Sequence, residues 1–392
     1  MKKNRGWVVA LAGIGAAFLV SQGCSTTGGS KTATPAASAT SASGATWTPL
    51  AQDTITNTIS PTATRTVTRT RTNTPTFTQS YTFTPVFTPV AYLATIGGIN
   101  SSYVPISTVY VAPVPPWGGI GNWSSGGALP QTRYDPAAVA TGGYLYEVGG
   151  YDPSYNPSST VYSGAITGGT VGAFSAQTSI PAGLSAVAVA TDGSYLYIAG
   201  GYDASYLYVS TVYSASASGG TVGSWTSQPA LAVTIAYTKM VYDQGYLYIV
   251  AGDAYYSYSS SIYRATASAG VVGSWSTTTN LPVAMAAHQA FTDGINIFSL
   301  GGATSPSTVY TAPISSPGTL GSWTTTSAIP GGRMYGGGET TGGFAYIFGG
   351  YDQYYTNVTT TYFSPITSGT LGTWVMGAPL SQGPAETASA NW

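Results

Sequence analysis

From residue 91 onward, short apolar runs alternate with clusters of Gly, Pro, Ser and Asp, and the same order of runs recurs along the chain. The copy that begins at Tyr195 is the clearest. Its alternating aromatic and aliphatic run stops at Gly200-Gly201, a second run ends at Tyr213, and a turn leads to Trp225. Alternation bounded by turn residues predicts β-strands, so this region is expected to be all-β.

Two signals mark each repeat. A double glycine recurs at residues 97–98, 149–150, 200–201, 301–302 and 349–350, with Ala251-Gly252 as a degenerate copy. A Gly-x-aromatic closure ends at Trp123, Phe174, Trp225, Trp275, Trp323 and Trp374. The six copies are 48 to 52 residues apart. A fixed period of this size predicts a propeller, a solenoid or an array.

Each repeat contains four apolar runs, which predict four antiparallel strands. In the third repeat these strands are expected at 186–191, 195–199 and 210–215, with the fourth starting near Trp225. Asp192-Gly193 predicts the tight turn between the first two. The first strand is rich in small residues, as expected for strands crowded around an axis. The double glycine is expected to bring the backbone close to a neighbouring blade, and the closing aromatic to wedge between sheets.

The pattern resembles the kelch repeat: an aromatic and aliphatic strand ending in Gly-Gly, a Tyr on the third strand, and a Trp 12 residues later, as in Tyr213 and Trp225. The resemblance covers about 300 residues. An Arg and a His often follow Leu-Pro in kelch repeats; here Arg133 and Arg333 keep the Arg, and His288 keeps the His. The loop form GT-[LV]-G-S-W is similar to that of secreted bacterial kelch-like lipoproteins.

The first copy begins at its second strand, at 92–98, and the last ends with an unpaired first strand, at 386–392. Together they make one complete blade, and closure would remove open sheet edges. The expected fold is therefore an all-β, six-bladed kelch-type β-propeller at 91–392, closed by the C-terminal strand. It follows a signal peptide and a disordered Thr/Pro-rich stalk.

The N-terminal segment predicts export. Lys2, Lys3 and Arg5 precede an apolar run and then the sole cysteine, Cys24. This order predicts a lipoprotein-type signal peptide at 1–23 and lipidation of Cys24. The match to a lipobox is imperfect, because Ser21 and Gln22 replace the usual residues, so an ordinary signal with an incidental cysteine stays open. Residues 24–90 are rich in Thr, Ser and Pro and predict a disordered stalk.

Charge narrows the possible partners. Residues 91–392 contain four Lys or Arg against eleven Asp or Glu, so nucleic acid is not an expected partner. Only 6% of the whole chain is charged, which suits an extracellular surface wetted by hydroxyl groups. We expect an exported protein that is lipid-anchored to the bacterial membrane or cell surface and meets the membrane through that anchor only.

Few residues in the repeats are of the types that catalyse reactions or bind metals and cofactors. With His288 as the one histidine and no cluster at metal-ligand spacing, no catalytic residue, metal or cofactor is expected. Radical copper oxidases of kelch type need two His and a Tyr linked to Cys, which this chain cannot assemble. His288 occupies a position that kelch repeats fill for structural reasons. Lys239 and Glu339 are expected to face the channel. They either solvate it or serve a sugar isomerase, since sialic-acid-epimerising kelch proteins use channel residues.

The loops after the double glycine predict a binding face of aromatic and acidic side chains, joined by two arginines. Its predicted residues are Arg133, Tyr151, Asp152, Tyr202, Asp203, Asp253, Tyr255, Tyr256, Arg333, Tyr351, Asp352 and Tyr354. Aromatic rings can stack on sugars, and Tyr also suits protein recognition. The alternative is that the tyrosines cover strands and the aspartates fix turns. The leading hypothesis is a non-catalytic binding module for an extracellular glycan or protein. The others are a self-assembling coat protein and a channel-based carbohydrate isomerase.

Overall fold

Six antiparallel sheets of four or five strands surround a central axis in the computed structural model, which describes residues 63–69, 79–85 and 87–392. The predicted signal peptide, Cys24 and most of the predicted stalk lie outside the described residues. The described residues contain no helix with the length and apolarity needed to cross a membrane. The expected all-β, six-bladed propeller is confirmed.

The strands of each blade run from the axis outward. Blade 1 contains Ala388–Asn391, Ala91–Ile96, Val109–Val114 and Ser124–Ser125. Blade 2 contains Ala137–Thr141, Tyr144–Val148, Val161–Thr167 and Thr170–Ala176. Blade 3 contains Ala188–Thr191, Tyr195–Ala199, Val212–Ser218, Thr221–Val222 and Thr226–Gln228. Blade 4 contains Lys239–Asp243, Tyr246–Asp253, Tyr258–Ser268, Val271–Val272 and Ser276–Thr277. Blade 5 contains Gln289–Thr292, Asn296–Leu300, Val309–Ser315, Thr319–Leu320 and Thr324–Thr326. Blade 6 contains Gly337–Thr341, Phe344–Phe348, Thr361–Thr367, Thr370–Leu371 and Val375–Met376.

The predicted strands of the third repeat are present, with shifted ends. Its inner strand begins two residues later than expected, because Ala186 has a φ of 49° and cannot continue a strand. Its third strand runs on to Ser218, where a tight hairpin begins. The outermost strand is therefore divided into two short pieces, and both pair with the third strand.

The C-terminal strand closes the ring, as expected. Ala388–Asn391 pairs antiparallel with Ala91–Ile96. The Thr387 hydroxyl shares a hydrogen bond of 2.6 Å with Thr95, and the Trp392 ring stacks on Tyr92 at 5.9 Å. The inner strand of blade 1 also contacts those of blades 2 and 6, so the inner strands form an unbroken circle.

Tryptophans join neighbouring blades. The indole N–H of Trp225 donates to Thr178 O of blade 2 at 3.0 Å, and that of Trp275 donates to Pro229 O of blade 3 at 2.9 Å. Trp123, Trp323 and Trp374 donate equivalent bonds of 2.9–3.0 Å to the blade before them. In blade 2 the closing aromatic is Phe174, which has no such donor. The predicted wedges between sheets are therefore present.

The double glycine permits a second contact between blades. Gly201 N–H donates to Ile235 O of blade 4 at 2.7 Å. A Cβ added at Gly200 would lie 2.3 Å from the same oxygen, and Gly200 has a φ of 67°. Only a residue without a side chain fits this approach without displacing the neighbouring backbone.

Two stretches of the predicted stalk pair as a two-stranded sheet. Ala63–Arg69 pairs antiparallel with Gln79–Pro85 in a continuous register. Just before the propeller, the Phe87 ring packs edge-on against Trp117 of blade 1, with centroids 5.2 Å apart.

Candidate functional site

One residue per blade, placed just before the inner strand, forms a closed circle that we call the mouth ring. Its members are Asp135, Ala186, Tyr237, Ala287, Tyr335 and Glu386. All six have a φ between 49° and 57°, a left-handed conformation that is uncommon outside glycine. Each backbone N–H donates to the carbonyl oxygen of the member in the preceding blade, in six hydrogen bonds of 2.8–3.2 Å. The backbone therefore holds six side chains around one opening.

All six members line a cavity of about 40 Å³, and two of them are carboxylic acids. Tyr237 Oη donates to Asp135 Oδ2 at 2.9 Å, and Tyr351 Oη lies 3.4 Å from Glu386 Oε1. Among residues 87–392, the ion pair within 4.0 Å is Arg133–Glu147 alone, so neither acid of the mouth ring has a direct cationic partner there.

The two acids hold protons more tightly than usual. Burial, and then the neighbouring Glu386 carboxyl, raise the pKa of Asp135 well above its ordinary value. The hydrogen bond from Tyr237 and the charge of Lys239 act in the opposite direction. Burial also raises the pKa of Glu386 to about 7. Both carboxyls therefore keep their protons to a higher pH than an exposed acid does, and a negative charge on Glu386 makes ionisation of Asp135 harder.

Below the mouth ring, the channel widens to a cavity of about 290 Å³ lined by the inner strands of all six blades. Lys239 and Glu339 both line it, as expected from the sequence. Burial raises the pKa of Glu339 to about 7, and burial lowers the pKa of Lys239. Each of the two charges favours the ionised form of the other.

His288 lies against the mouth cavity and is wholly buried. Within the described part of the chain neither ring nitrogen has a partner in good hydrogen-bond geometry, but the Val250 backbone is near enough to favour the protonated ring. Burial, followed by the charge of Lys239, lowers the pKa of His288 to about 3. The imidazole is therefore neutral at physiological pH and keeps one acceptor nitrogen.

The loops after the double glycines surround the mouth ring with tyrosines. Tyr202 contacts Tyr237 of the mouth ring with centroids 5.8 Å apart, and Tyr351 contacts Tyr335 at 6.0 Å. The aromatic contacts continue outward from Tyr351 to Tyr355 at 6.3 Å. The loops and the mouth ring therefore form one continuous face.

Four of these loops present a tyrosine at their tip. These residues, Tyr103, Tyr155, Tyr206 and Tyr355, are 46–62% exposed and have φ between 58° and 63°. We call them the tyrosine rim. In each loop an Asn or Asp side chain three residues earlier accepts two backbone N–H bonds. Because non-glycine residues at positive φ are costly and cluster at functional positions, the rim is a candidate contact surface.

The predicted site residues occupy three kinds of position. Tyr255, Tyr256 and Tyr354 are exposed on the same face as the rim. Tyr151 and Tyr351 are buried beneath the rim, and Tyr202 is half-buried. Asp152, Asp203 and Asp352 accept the N–H bonds that shape the loops, and Asp253 Oδ2 accepts a bond from Tyr208 at 2.8 Å.

The two predicted arginines do not reach this face. Arg133 is fully buried, where its Nε lies 3.8 Å from Glu147 Oε1 and it donates to Thr160 at 2.5 Å. Arg333 is buried in the same way and donates to Gly332 O. The expectation that both join the aromatic face is corrected here, because each guanidinium holds its own loop instead.

Sequence reasoning placed Tyr355 among the loop tyrosines, but it missed the tyrosine rim as a set and the acids of the mouth ring. A signal for the rim exists: after a double glycine, Asn or Asp is followed three residues later by Tyr at 100–103, 152–155, 203–206 and 352–355, and the same spacing follows Ala251-Gly252 at 253–256. The acids have no such signal, because Asp135 and Glu386 are single departures from positions filled elsewhere by Ala or Tyr.

Comparison with known proteins agrees with this geometry. The model of the Kelch motif matches residues 132–163, which include the inner three strands of blade 2 down to Ser163. The fold is a six-bladed kelch-type propeller. The solved structure titled "Structure of YjhT" is similar, with a TM-score of 0.56 and 13% sequence identity, over 74% of this chain and 99% of that chain.

No curated protein matches the sequence. At 13% identity the structural likeness shows the fold alone, and 403 chains of solved structures match. A kelch propeller is commonly a protein-binding module, but one fold hosts many functions, so the function rests on the site.

Proposed function

We propose that this kelch propeller is a non-catalytic, extracellular binding module whose tyrosine-covered face takes a glycan. The observation that carries the proposal is the tyrosine rim: four exposed rings at equivalent loop tips, fixed by Asx loops around one opening. Rigid aromatic rings stack on the apolar faces of sugars and lose little conformational entropy on binding.

On this face the exposed tyrosines and the buried tyrosines have different roles. The rim and Tyr255, Tyr256 and Tyr354 offer rings to a ligand, while Tyr151 and Tyr351 support them from below. Tyr206 Oη donates to Tyr155 O at 2.7 Å, so neighbouring loops brace each other. A pre-ordered surface keeps the entropic cost of binding small.

The proposal also includes the export and the lipid anchor that the N-terminal sequence predicts. The protein is exported, Cys24 carries a lipid, and residues 24–90 hold the propeller away from the membrane. The charge of the propeller, four basic against eleven acidic residues, supports a partner other than nucleic acid.

A glycan array probed with the purified full-length chain tests the proposal. Binding should fall at least tenfold when Tyr155 and Tyr206 are replaced by Gly, a loss of about 1.4 kcal/mol or more. Glycine keeps the positive φ of both loops, so the fold should survive. The matched control is Ile295→Ser, which removes a side chain 67% exposed in the turn before the second strand of blade 5.

Three results would contradict the proposal. Equal glycan binding by the rim variant and the wild type would remove the rim from the site. Capture of a protein ligand by the rim, with no glycan bound, would replace the ligand class. Turnover of a saccharide that stops in Lys239→Met or Glu339→Gln would make the protein an enzyme.

A further inference from the structure

Among residues 91–392, the propeller presents no exposed basic side chain. Arg133 and Arg333 are buried in their own loops, and Lys239 lines the channel. Arg264 is half-buried and donates to Pro317 O. With eleven Asp or Glu in the same range, the charge that the propeller shows to a partner is negative. A partner of opposite charge is therefore favoured.

Three loops of the tyrosine rim contain a carboxylate as well as the exposed ring. In each loop the Asp Oδ1 atom accepts two backbone N–H bonds, and the described residues make no hydrogen bond to Oδ2. The pairs are Asp152 with Tyr155, Asp203 with Tyr206, and Asp352 with Tyr355. An arginine guanidinium stacks on an aromatic ring and pairs with a carboxylate, so each loop offers both groups that arginine binds.

The stalk of the same protein supplies arginines. Residues 24–90 contain four basic residues against one acid, Asp53, and three of the four lie close together at Arg65, Arg69 and Arg71. We call residues 65–71 the arginine segment. Its arginines are four and two positions apart, which places all three on one side of an extended chain. Its remaining residues are Thr and Val, so its charge is wholly positive and complements that of the rim loops.

The strand that contains most of the arginine segment has one partner strand among the described residues. Ala63–Arg69 pairs with Gln79–Pro85, and this two-stranded sheet pairs with no blade. A two-stranded sheet alone is marginally stable in water and needs a further surface to stabilise it. Docking on the rim would supply that surface.

The stalk joins the propeller at the end opposite to the rim. Ala91–Ile96 runs toward Gly97-Gly98 and the loop of Tyr103, so residue 91 lies at the far end of the strand. The six residues of this strand, at roughly 3.4 Å each, separate the two ends by about 20 Å. At the far end Phe87 packs against Trp117, in the connection between the third and fourth strands of blade 1. The chain therefore enters the propeller on the side away from its own rim, which favours the rim of another copy as the partner of the arginine segment.

From these observations we infer that the arginine segment of one copy binds the tyrosine rim of another. The guanidinium groups stack on the exposed rings and pair with the Oδ2 atoms of Asp152, Asp203 and Asp352. The contact joins two different surfaces, so it repeats from copy to copy and builds open chains. It uses the same face as the proposed glycan site but does not depend on glycan binding.

Analytical ultracentrifugation of the full-length Cys24→Ser protein tests this contact, since the substitution removes the attachment point of the proposed lipid, which would itself cause association. The mean mass should rise with protein concentration. It should stay that of a monomer in a stalk variant, in which the three arginines of the arginine segment are replaced by Ser. It should also stay that of a monomer in the rim variant, in which Tyr155 and Tyr206 are replaced by Gly.

Mixing the two variants identifies the surfaces that meet. The rim variant keeps the arginine segment and the stalk variant keeps the rim, so an equal mixture should form dimers and nothing larger. The matched control is Lys31→Ser, which removes a basic residue outside the arginine segment and should associate as the wild type does.

Two further measurements separate stacking from charge. Replacing the three arginines by Lys keeps the charge but loses the planar group, and should weaken association at least roughly threefold. Raising the ionic strength from about 0.1 M to about 1 M shortens the Debye length from about 10 Å to about 3 Å, and should weaken association at least roughly tenfold.

Several results would overturn the contact between copies. One is a wild type that stays monomeric, and another is a stalk variant that associates as tightly as the wild type. A mixture of the two variants that stays monomeric would also overturn it. If the wild type is monomeric and only the stalk variant binds an added peptide of residues 60–72, each propeller holds its own stalk, which again overturns it.

The glycan array and the ultracentrifuge give separate answers, since association is measured without a glycan. An array with no bound glycan, together with association of the wild type, would overturn the proposed function and keep the contact between copies. A bound glycan with a monomeric wild type would do the reverse.

Discussion

Deleting residues 385–392 should destroy the propeller although these residues end the chain. The segment supplies the inner strand of blade 1, the only blade built from both ends of the described propeller. Its removal exposes the edge of Ala91–Ile96 and opens the circle of inner strands.

The magnitude follows from the hydrogen bonds that the segment makes with the rest of the protein. Backbone bonds join Ala385 with Ile99 in both directions, Trp392 with Tyr92 in both directions, and Glu386 with Tyr335 and Asp135. Side-chain bonds join Thr387 to Thr95 and to Ile96 O, Ser389 to Gly338, and Asn391 to Thr340 O. These ten bonds, at about 0.5–1.5 kcal/mol each, contribute roughly 5–15 kcal/mol. That range equals the whole stability of a typical domain, about 5–15 kcal/mol.

Differential scanning calorimetry measures the effect. The truncated protein should show no cooperative transition and should aggregate, whereas a deletion of residues 25–32 should leave melting unchanged. A circular permutant supplies the positive control. In blade 2 the inner and second strands are joined by Gly142-Gly143, and Trp392 pairs with Tyr92 in the corresponding register. Joining Trp392 to Tyr92 through two glycines, with new ends in the turn at 244–245, should give a cooperative transition. A truncated protein that melts like the wild type would refute the reasoning.

Three further predictions follow from described contacts and from the sequence. Replacing Trp275 by Ala should cost about 2 kcal/mol in denaturant unfolding, since the ring is half-buried, and Trp275→Phe about 1 kcal/mol for the lost indole bond; equal stability of all three proteins would place the ring outside the interface. Burial raises the pKa of Glu147 to about 8, so its folded form binds more protons than the unfolded form between about pH 4.5 and pH 8. Its contribution to stability is complete below about pH 4.5 and is lost as the pH rises through about 8, by several kcal/mol in total. The melting temperature should therefore fall over this interval, and Glu147→Gln should flatten the fall; a pH profile shared by both proteins would contradict this. Replacing Cys24 by Ser should release the protein from membrane fractions in a detergent-free preparation, and unchanged fractionation would end the lipoprotein hypothesis.

The fold was predictable because its signals are local and repeated. Gly200-Gly201 is needed for a close approach to Ile235 O, and Trp225 for a wedge with a fixed hydrogen bond. Most blades impose the same demand, so the residues recur at a fixed period; the exceptions are Ala251 in blade 4 and Phe174 in blade 2. The strand ends were less predictable. Ala186 adopts a left-handed φ, and an alanine in the sequence does not predict that conformation.

The site was predictable only in part. The gathering of tyrosines on one face could be predicted, since they follow the double glycine in most copies; whether this face binds a ligand stays a prediction. The burial of Arg133 was not, because it depends on Glu147 and on loops of its own blade that become neighbours only after folding. Asp135 and Glu386 are 251 positions apart in the chain, and only ring closure places them in adjacent blades.

The mouth ring separates what holds the propeller together from what it presents. Its six members are joined through main-chain N–H and C=O groups, which every amino acid except proline can supply. Their side chains can therefore differ within the limits of a left-handed φ, as Asp135, Ala186 and Tyr237 already do. Evolution, or an engineer, can rewrite the opening one position at a time and keep the blades untouched. The selectivity of the opening can therefore change through six side chains while the backbone circle that carries them stays the same.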